Sequence, residues 1–226
     1  MRAISICIVL ALTIIACNTK KESPKKTNTT QSTILEKIAD AHGFQNWKHD
    51  SQINFTFNVD RDSMHFERSW SWKPQENIVK SMTTQDTLVY QRKAMDSVAI
   101  KANAGFINDR YWLLSPFNLI WDQANFEYTH TEEAIAPISQ KTCQKLTIVY
   151  GNEGGYTPGD AYDFYFGNDY LIKEWVFRKG NQDEASMTTT WENYAEENGI
   201  KFAVDHKKDG EPFNLYFSNV SVQPKE

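Results

Sequence analysis

The sequence has few of the residue patterns that mark the common classes of enzyme. Its five histidines are spread without metal-ligand spacing, and there is no H-E-x-x-H motif and no cysteine pair, so no metal site is predicted. A G-x-S-x-G nucleophile motif and a phosphate-binding loop are also missing. The glycine-rich stretch 151–155 has neither the lysine nor the following helix of a nucleotide site. We therefore expect a protein that is not an enzyme and has no cofactor.

An excess of positive charge is absent as well. The chain has 24 lysines and arginines against 29 aspartates and glutamates, which gives a net charge of −5. Proteins that bind nucleic acid usually carry a basic surface that neutralises phosphates. The composition therefore predicts no nucleic-acid partner.

No apolar run is long enough to cross a membrane as a helix, which takes about 20 residues. The longest, residues 4–16, follows Arg2 and ends in alanine, which is typical of a secretory signal peptide. Its ending, IIAC at 14–17, resembles the bacterial lipobox. That resemblance implies a lipoprotein signal peptide over residues 1–16 and a Cys17 that carries acyl chains such as palmitate. An ordinary signal peptide with an incidental cysteine is the alternative.

Only three cysteines are present, and they cannot form a disulfide framework within one mature chain. Cys7 would leave with the signal peptide, and Cys17 would carry lipid. The remaining Cys143 lies in a predicted strand, where a lone cysteine is usually a small buried apolar residue rather than a nucleophile.

Residues 17–32 are polar and rich in threonine and lysine, so they cannot bury a core. They are predicted to be a lipidated flexible tether with a coil dimension of roughly 20 Å. Four lysines close to the anchor could contact anionic lipid headgroups or could simply be solvated: Lys20, Lys21, Lys25 and Lys26.

The residue after Cys17 bears on which membrane holds the anchor. Many Gram-negative sorting systems use an aspartate there to keep a lipoprotein in the inner membrane, whereas this chain has Asn18. We therefore expect a lipid-anchored protein of the outer membrane that faces the periplasm. Exposure on the cell surface is the alternative, and the oligomeric state is not predicted.

Residues 33–226 are predicted to form one domain that begins with a short helix. Thr33 and Glu36 have the spacing of a capping box, and Ile34, Leu35 and Ile38 fall on one helical face. A glycine at position 43 ends the helix.

Strict alternation of apolar and polar residues follows, which is typical of half-buried antiparallel strands. It runs through residues 51–59, 66–72, 162–166, 171–177, 187–194, 200–204 and 213–222. The pattern breaks mid-chain, where two short helices are predicted, one over 96–104 and one from Ser115-Pro116 to Trp121. The expected fold is mainly β, with a broad, curved antiparallel sheet, a few short helices, and an apolar face or cavity.

Three stretches support a family resemblance: GFQNW at 43–47, DRYWLLSPF at 109–117 and GGYTPGDAY at 154–162. With the final strands, they resemble an uncharacterised family of Gram-negative lipoproteins related to the lipoprotein-carrier (LolA/LolB-like) fold. The resemblance implies a half-open barrel of antiparallel strands, closed by helices over an apolar cavity that holds acyl chains in the carriers.

The sequence is rich in aromatic residues, with 13 phenylalanines, ten tyrosines and seven tryptophans. Alternation places most of them on one face of the sheet, which either packs solid or encloses a cavity. Seven are candidates for lining a hydrophobic ligand, with plain core packing as the alternative: Phe55, Phe57, Trp70, Trp72, Trp112, Phe117 and Trp121.

Three short Asp-Ser/Thr-apolar sequences resemble the O-glycosylation sites of one lineage of Gram-negative bacteria. Their acceptors would be Ser63, Thr87 and Ser97.

Two functions remain open at this stage. The first is a membrane-anchored binder of a lipid or of another lipoprotein's acyl chain. The second is a surface glycan-binding or scaffold lipoprotein of a nutrient-uptake system, which would need Trp47, Trp112 or Trp175 exposed as a flat stacking platform. Shielded rings favour the first.

Overall fold

The computed structural model describes residues 32–47 and 52–223, all within one compact unit that spans Ser32–Glu226. Cys17, the signal peptide, the tether and His49 lie outside the described residues.

The first helix, α1, spans Ile34–Ala41 and begins as predicted. The Thr33 hydroxyl accepts a hydrogen bond from the Glu36 amide at 3.2 Å, and the Glu36 carboxylate accepts one from the Thr33 amide at 2.7 Å. This capping box satisfies two backbone donors that the first turn would otherwise leave free. The helix ends before Gly43, whose φ of +88° favours glycine.

Twelve antiparallel strands account for 48% of the described chain. They are β1 (Gln52–Arg61), β2 (Met64–Lys73), β3 (Ile78–Met82), β4 (Thr87–Gln91), β5 (Phe126–Ile135), β6 (Thr142–Tyr150), β7 (Ala161–Phe166), β8 (Ile172–Arg178), β9 (Met187–Thr190), β10 (Glu192–Glu197), β11 (Ile200–Lys207) and β12 (Phe213–Gln223). The prediction of a mainly β, antiparallel fold is therefore confirmed.

The strands form two sheets rather than the one broad sheet expected. The larger has the order β10-β11-β12-β1-β2-β3-β4 and the smaller the order β5-β6-β7-β8-β9. Both are curved, and neither closes into a barrel. The predicted single strand over 187–194 is divided at Trp191, where the chain passes from β9 in the smaller sheet to β10 in the larger. The amide of Trp191 still donates to the Lys173 carbonyl at 2.7 Å.

The mid-chain helices agree with the prediction in part. Helix α2 spans Ser97–Trp121 as two helical segments that meet at a kink at Leu114, whose φ and ψ of −121° and 22° are not helical. The second segment follows the kink at the predicted Ser115-Pro116, and the first is longer than predicted. Asp96 caps its start by accepting from the Ala99 amide at 2.8 Å. Pro116 lacks the N–H that would continue the hydrogen-bond ladder, which accounts for the kink. Ser115 lies within the helix, and its hydroxyl donates to the Tyr111 carbonyl at 2.6 Å.

The core lies between the two sheets and is occupied by α2. All nine consecutive residues from 111 to 119 are buried. A helix that is buried all round must be covered on more than one side. The concave side of the sheets is therefore filled by this helix.

Candidate ligand-binding interior

The inner face of the larger sheet is built from cross-strand aromatic pairs. Phe55 on β1 faces Trp70 on β2, and Ile53 faces Trp72 in the next inward position. All four side chains are buried. The opposite face carries small polar residues, for example Thr56, whose hydroxyl lies 2.7 Å from that of Ser69. Period-two alternation thus gives this sheet an aromatic inner face and a polar outer face.

Helix α2 contacts the inner faces of both sheets. The Phe106 ring lies 5.5 Å from Trp70 and 5.6 Å from Trp72, both edge-on. One and a half turns later, Trp112 lies 4.3 Å from Trp175 of β8 and 5.3 Å from His206 of β11. The helix is therefore enclosed by aromatic rings from two separate sheets.

The seven predicted lining residues all belong to this interior. Phe55, Phe57, Trp70, Trp72, Trp112 and Phe117 are buried, and Trp121 is half-buried. They pack against one another, against α2 and against the neighbouring aromatic residues. Whether a ligand replaces some of these contacts stays a prediction.

A buried carboxylate helps to attach α2 to the larger sheet. Asp109, which is fully buried, accepts hydrogen bonds from Arg68 Nε at 2.5 Å and Arg68 Nη2 at 2.6 Å. It also accepts from Trp70 Nε1 at 2.7 Å and from Asn108 Nδ2 at 3.0 Å. Burial raises the pKa of the Asp109 carboxyl, and the donors, led by Arg68, oppose that rise. Sequence reasoning missed this ion pair.

The interior also contains polar atoms that the protein does not satisfy. Trp175 Nε1, Thr189 Oγ1 and Trp191 Nε1 are buried and have no hydrogen-bond partner in the part of the chain that the structure describes. Buried donors nearly always have a partner in a finished core. These atoms belong to residues that lie around a cluster of rings that includes Trp112 and His206.

His206 is the titratable group at the centre of that cluster. Its ring is fully buried and lies 4.7 Å from Trp191 and 5.9 Å from Phe217. Burial lowers the pKa of His206 to about 3, so the ring is neutral at physiological pH. The adjacent Asp205 points to the other face of the strand, as alternation predicts, and accepts a hydrogen bond from Asn193.

The aromatic inner face continues beyond the area that α2 covers. In the register of β1 and β2, Val59 faces Phe66 and Arg61 faces Met64. Phe66 and Met64 are 48% and 66% exposed, although their strand places them on the same face as buried Trp70. One end of the inner face is therefore apolar and open to solvent.

A pocket of about 470 Å³ lies elsewhere, beside the loop after β5. Among its lining residues are Cys143, Phe166 and Glu174, and none of the seven predicted aromatic residues. Cys143 is half-buried, and burial raises the pKa of its thiol, which disfavours the reactive thiolate. Glu174 fixes the loop by accepting from the Ile138 and Ser139 amides at 2.7 and 2.9 Å.

Other predicted features can be located only in part. Ser63, Thr87 and Ser97 are all exposed, so glycosylation there stays a prediction. Within residues 32–47 and 52–223 there is no cluster of three or more His, Cys, Asp or Glu side chains that could hold a metal ion. None of the helices described in that part of the chain is long and apolar enough to span a membrane.

Comparison with known proteins finds similarity at the level of solved structures. No protein-family model and no curated protein sequence matches the chain. A DUF1329 family protein from Desulfovibrio piger is 12% identical, with a TM-score of 0.46, covering 84% of this chain and 93% of its own. A LolA superfamily protein from Nitrosomonas europaea is 12% identical, with a TM-score of 0.49 and coverages of 85% and 92%.

A third similar structure is a domain described as an outer membrane lipoprotein-sorting protein, from Vibrio parahaemolyticus. It is 10% identical, with a TM-score of 0.44, and covers 84% of this chain and 92% of its own. The solved structures similar to this chain thus include the LolA-like class that the sequence resembles. At these identities and scores they do not assign a function.

Proposed function

We propose that this protein is a membrane-anchored, non-enzymatic lipoprotein that binds a hydrophobic ligand, either a lipid or the acyl chain of another lipoprotein. One observation carries the proposal: the kinked helix α2 packs its aromatic residues against the aromatic inner faces of two open sheets. Here α2 occupies the space that an acyl chain could take.

Three further features of the interior support this proposal. The helix is attached to the larger sheet through one buried ion pair, Arg68–Asp109. Its hydrogen-bond ladder is interrupted at Pro116. The inner face extends to exposed Met64 and Phe66, where a chain could first make contact. Movement of α2 away from the sheet would expose a continuous aromatic surface.

Burial supplies the binding energy in this proposal. Each methylene removed from water contributes about 0.8 kcal/mol, so a ten-carbon chain gains about 8 kcal/mol before the cost of ordering and of moving the helix. A gain of about 8 kcal/mol corresponds to a Kd of about 1 μM before those costs are subtracted, so a tightly bound ligand needs a longer chain or further contacts.

The glycan-binding alternative has less support. A stacking platform needs flat, solvent-exposed rings, whereas Trp112 and Trp175 are only 7% and 3% exposed. Both rings contact each other in the interior. The third candidate, Trp47, is half-buried, and its ring lies 5.0 Å from that of Trp121.

The proposal is tested by asking whether the protein carries or takes up a lipid. We expect native mass spectrometry of the exported protein to show a bound lipid, and a fluorescent fatty acid to bind saturably and be displaced by an unlabelled one. Protein that contains no lipid and shows no saturable uptake would contradict the proposed function.

A further inference from the structure

The four partly or fully buried arginines of the described chain fall into two kinds. Arg68 and Arg178 each form an ion pair with a buried aspartate. Arg92 and Arg110 are also partly buried, but neither forms an ion pair within residues 32–47 and 52–223. Placing a guanidinium in a partly desolvated position without a carboxylate is costly unless something else compensates the charge.

Neutral groups orient these two side chains instead. Arg92 Nε donates to the Asn103 side-chain oxygen at 3.0 Å, and Arg110 Nη2 donates to that of Asn118 at 3.4 Å. The Nε of Arg110 is buried and has no partner among the described residues. Most of the five donors on each guanidinium therefore remain available.

The two guanidinium groups lie over two neighbouring aromatic rings. Arg92 lies over the Phe106 ring at 5.5 Å and Arg110 over the Trp72 ring at 5.3 Å. Those two rings are themselves 5.6 Å apart. Arg110 also lies 5.6 Å from the Trp121 ring. Stacking on a ring fixes the plane of a guanidinium and leaves its edge free for a planar or tetrahedral oxyanion.

The charge of this pair is not neutralised by its surroundings. Burial, and secondarily the positive charge of Arg92, lowers the pKa of Arg110 to about 10, so both arginines are charged at neutral pH. Asp122 is the one carboxylate whose charge opposes this shift. It forms no ion pair within the described residues, and its Oδ2 accepts from the Tyr150 hydroxyl at 3.4 Å.

We infer that Arg92 and Arg110 form a subsite for an oxyanion, a phosphate or a carboxylate, on the headgroup of the hydrophobic ligand. The inference rests on the proposed function. It adds that the ligand is an anionic amphiphile rather than a neutral one.

The apolar surroundings of Arg110 fit such a ligand. Trp121 is half-buried, and its ring lies 5.0 Å from Trp47 and 5.7 Å from Phe117. The charged subsite therefore borders an aromatic cluster, so that one molecule could place its oxyanion on the arginines and its chain against the rings.

Calorimetric titration of the exported full chain carrying Cys17→Ser tests this inference. Four probes would be used separately below their micelle-forming concentrations: decyl phosphate, decanoate, decanol and inorganic phosphate. The variants are Arg92→Gln, Arg110→Gln and Arg110→Lys, with Lys80→Gln as the control, because Lys80 is exposed and lies on the opposite face of β3 from buried Val79.

We expect the anionic decyl probes to bind about tenfold more tightly than decanol, since a charge-assisted hydrogen bond contributes about one such factor. Arg92→Gln and Arg110→Gln should each weaken binding of the anionic decyl probes about tenfold and leave decanol binding unchanged. Arg110→Lys should weaken anion binding by less than Arg110→Gln, because lysine keeps the positive charge but lacks the paired donors of the guanidinium. Lys80→Gln should change neither anion nor decanol binding. Comparison of decyl phosphate with decanoate identifies the headgroup.

The outcomes separate this inference from the proposed function. Equal binding of decanol and decyl phosphate, or anion binding unchanged in both glutamine variants, would overturn the subsite and leave the proposed function in place. Inorganic phosphate binding that depends on both arginines, without binding of any decyl probe, would support the subsite and contradict the proposed function. If Arg110→Gln does not fold, the anion binding of Arg92→Gln and Arg110→Lys tests the subsite instead.

Discussion

Arg68 on β2 and Asp109 on α2 form a two-point ion pair across the protein interior, with N–O distances of 2.5 and 2.6 Å. Asp109 is fully buried, and Arg68 is 24% exposed at its side chain. Trp70 donates to the same carboxylate, so three donors from one strand converge on one helix residue. This contact determines where the helix lies on the sheet.

Asp109→Asn should lower the free energy of unfolding by about 3 kcal/mol, because it leaves the Arg68 charge without a partner in a partly buried position. It should also speed the uptake of a fluorescent fatty acid if α2 must move to admit the ligand. Chemical denaturation and stopped-flow fluorescence measure the two effects.

Asp163→Asn is the matched control for that variant. Asp163 is also a buried aspartate paired with an arginine, Arg178 at 3.1 Å, but it lies on the outer face of the smaller sheet, between inward-facing Tyr162 and Phe164. It should destabilise the protein without changing uptake. Equal uptake rates in the two variants would argue against movement of α2.

The stability of the protein should fall between pH 7 and pH 5, in part because of His206. The pKa of His206 is about 3 in the folded protein, against 6.5 for an ordinary histidine. The stability contributed by keeping this ring neutral is therefore complete above pH 6.5 and is lost progressively as the pH falls toward 3. At pH 5 the unfolded chain has bound the proton and the folded chain has not, which costs about 2 kcal/mol.

His206→Phe should remove that part of the pH dependence, measured as the difference between urea-unfolding free energies at the two pH values. His65→Gln should leave the fall in place, because His65 is exposed and its hydrogen bond to Asp60 raises its pKa. A His206→Phe protein with the same pH dependence as the parent would contradict the neutral, buried state of His206.

Gly43→Ala should be much more destabilising than Gly180→Ala. Both glycines have positive φ, +88° and +60°, so each substitution incurs a backbone cost of about 1 kcal/mol. A Cβ on Gly43 would lie 2.0 Å from the Gly199 carbonyl oxygen, whereas one on Gly180 meets nothing within 4 Å. The difference between the two thermal midpoints measures how much the close contact between the turn after α1 and the β10–β11 turn contributes to stability. Equal midpoints would show that this contact does not restrict position 43.

Cys17→Ser should convert the protein from a membrane-bound to a soluble, unacylated form, because the proposed anchor is the lipid on that residue. Fractionation followed by a high-salt wash measures this effect. A variant that remains with the membrane after the wash would show that another segment holds it. Protease treatment of intact cells then distinguishes a periplasmic from a surface-exposed domain.

The sequence predicts those elements whose residues face two different environments. The capping box at Thr33 and the alternation in β1 identify their elements correctly because each element has one apolar face and one polar face. Helix α2 lacks such a contrast from residue 111 to 119, where every side is buried, so its apolar pattern has no helical period. Ser115-Pro116 nevertheless marks the kink at Leu114, after which the second helical segment of α2 begins.

The division of the sheets at Trp191 could not be predicted for a related reason. Alternation continues through β9 and β10, and period two does not indicate which neighbouring strand each residue pairs with. The candidate site shows the same limit. Aromatic side chains at inward positions are predictable, but the pairing of Arg68 with Asp109 joins residues 41 positions apart. Only the packing of α2 on the sheet brings them together.

The larger sheet cannot be completed until the last strand of the chain is available, because β12 lies between β11 and β1. Before that, β1 and β11 each present an unpaired edge of amides and carbonyls, which is a template for pairing with other chains. Formation of the sheet thus joins strands from opposite ends of the domain, a topology that slows folding. A chain cut short before Phe213 should therefore aggregate rather than fold, whatever ligand is present.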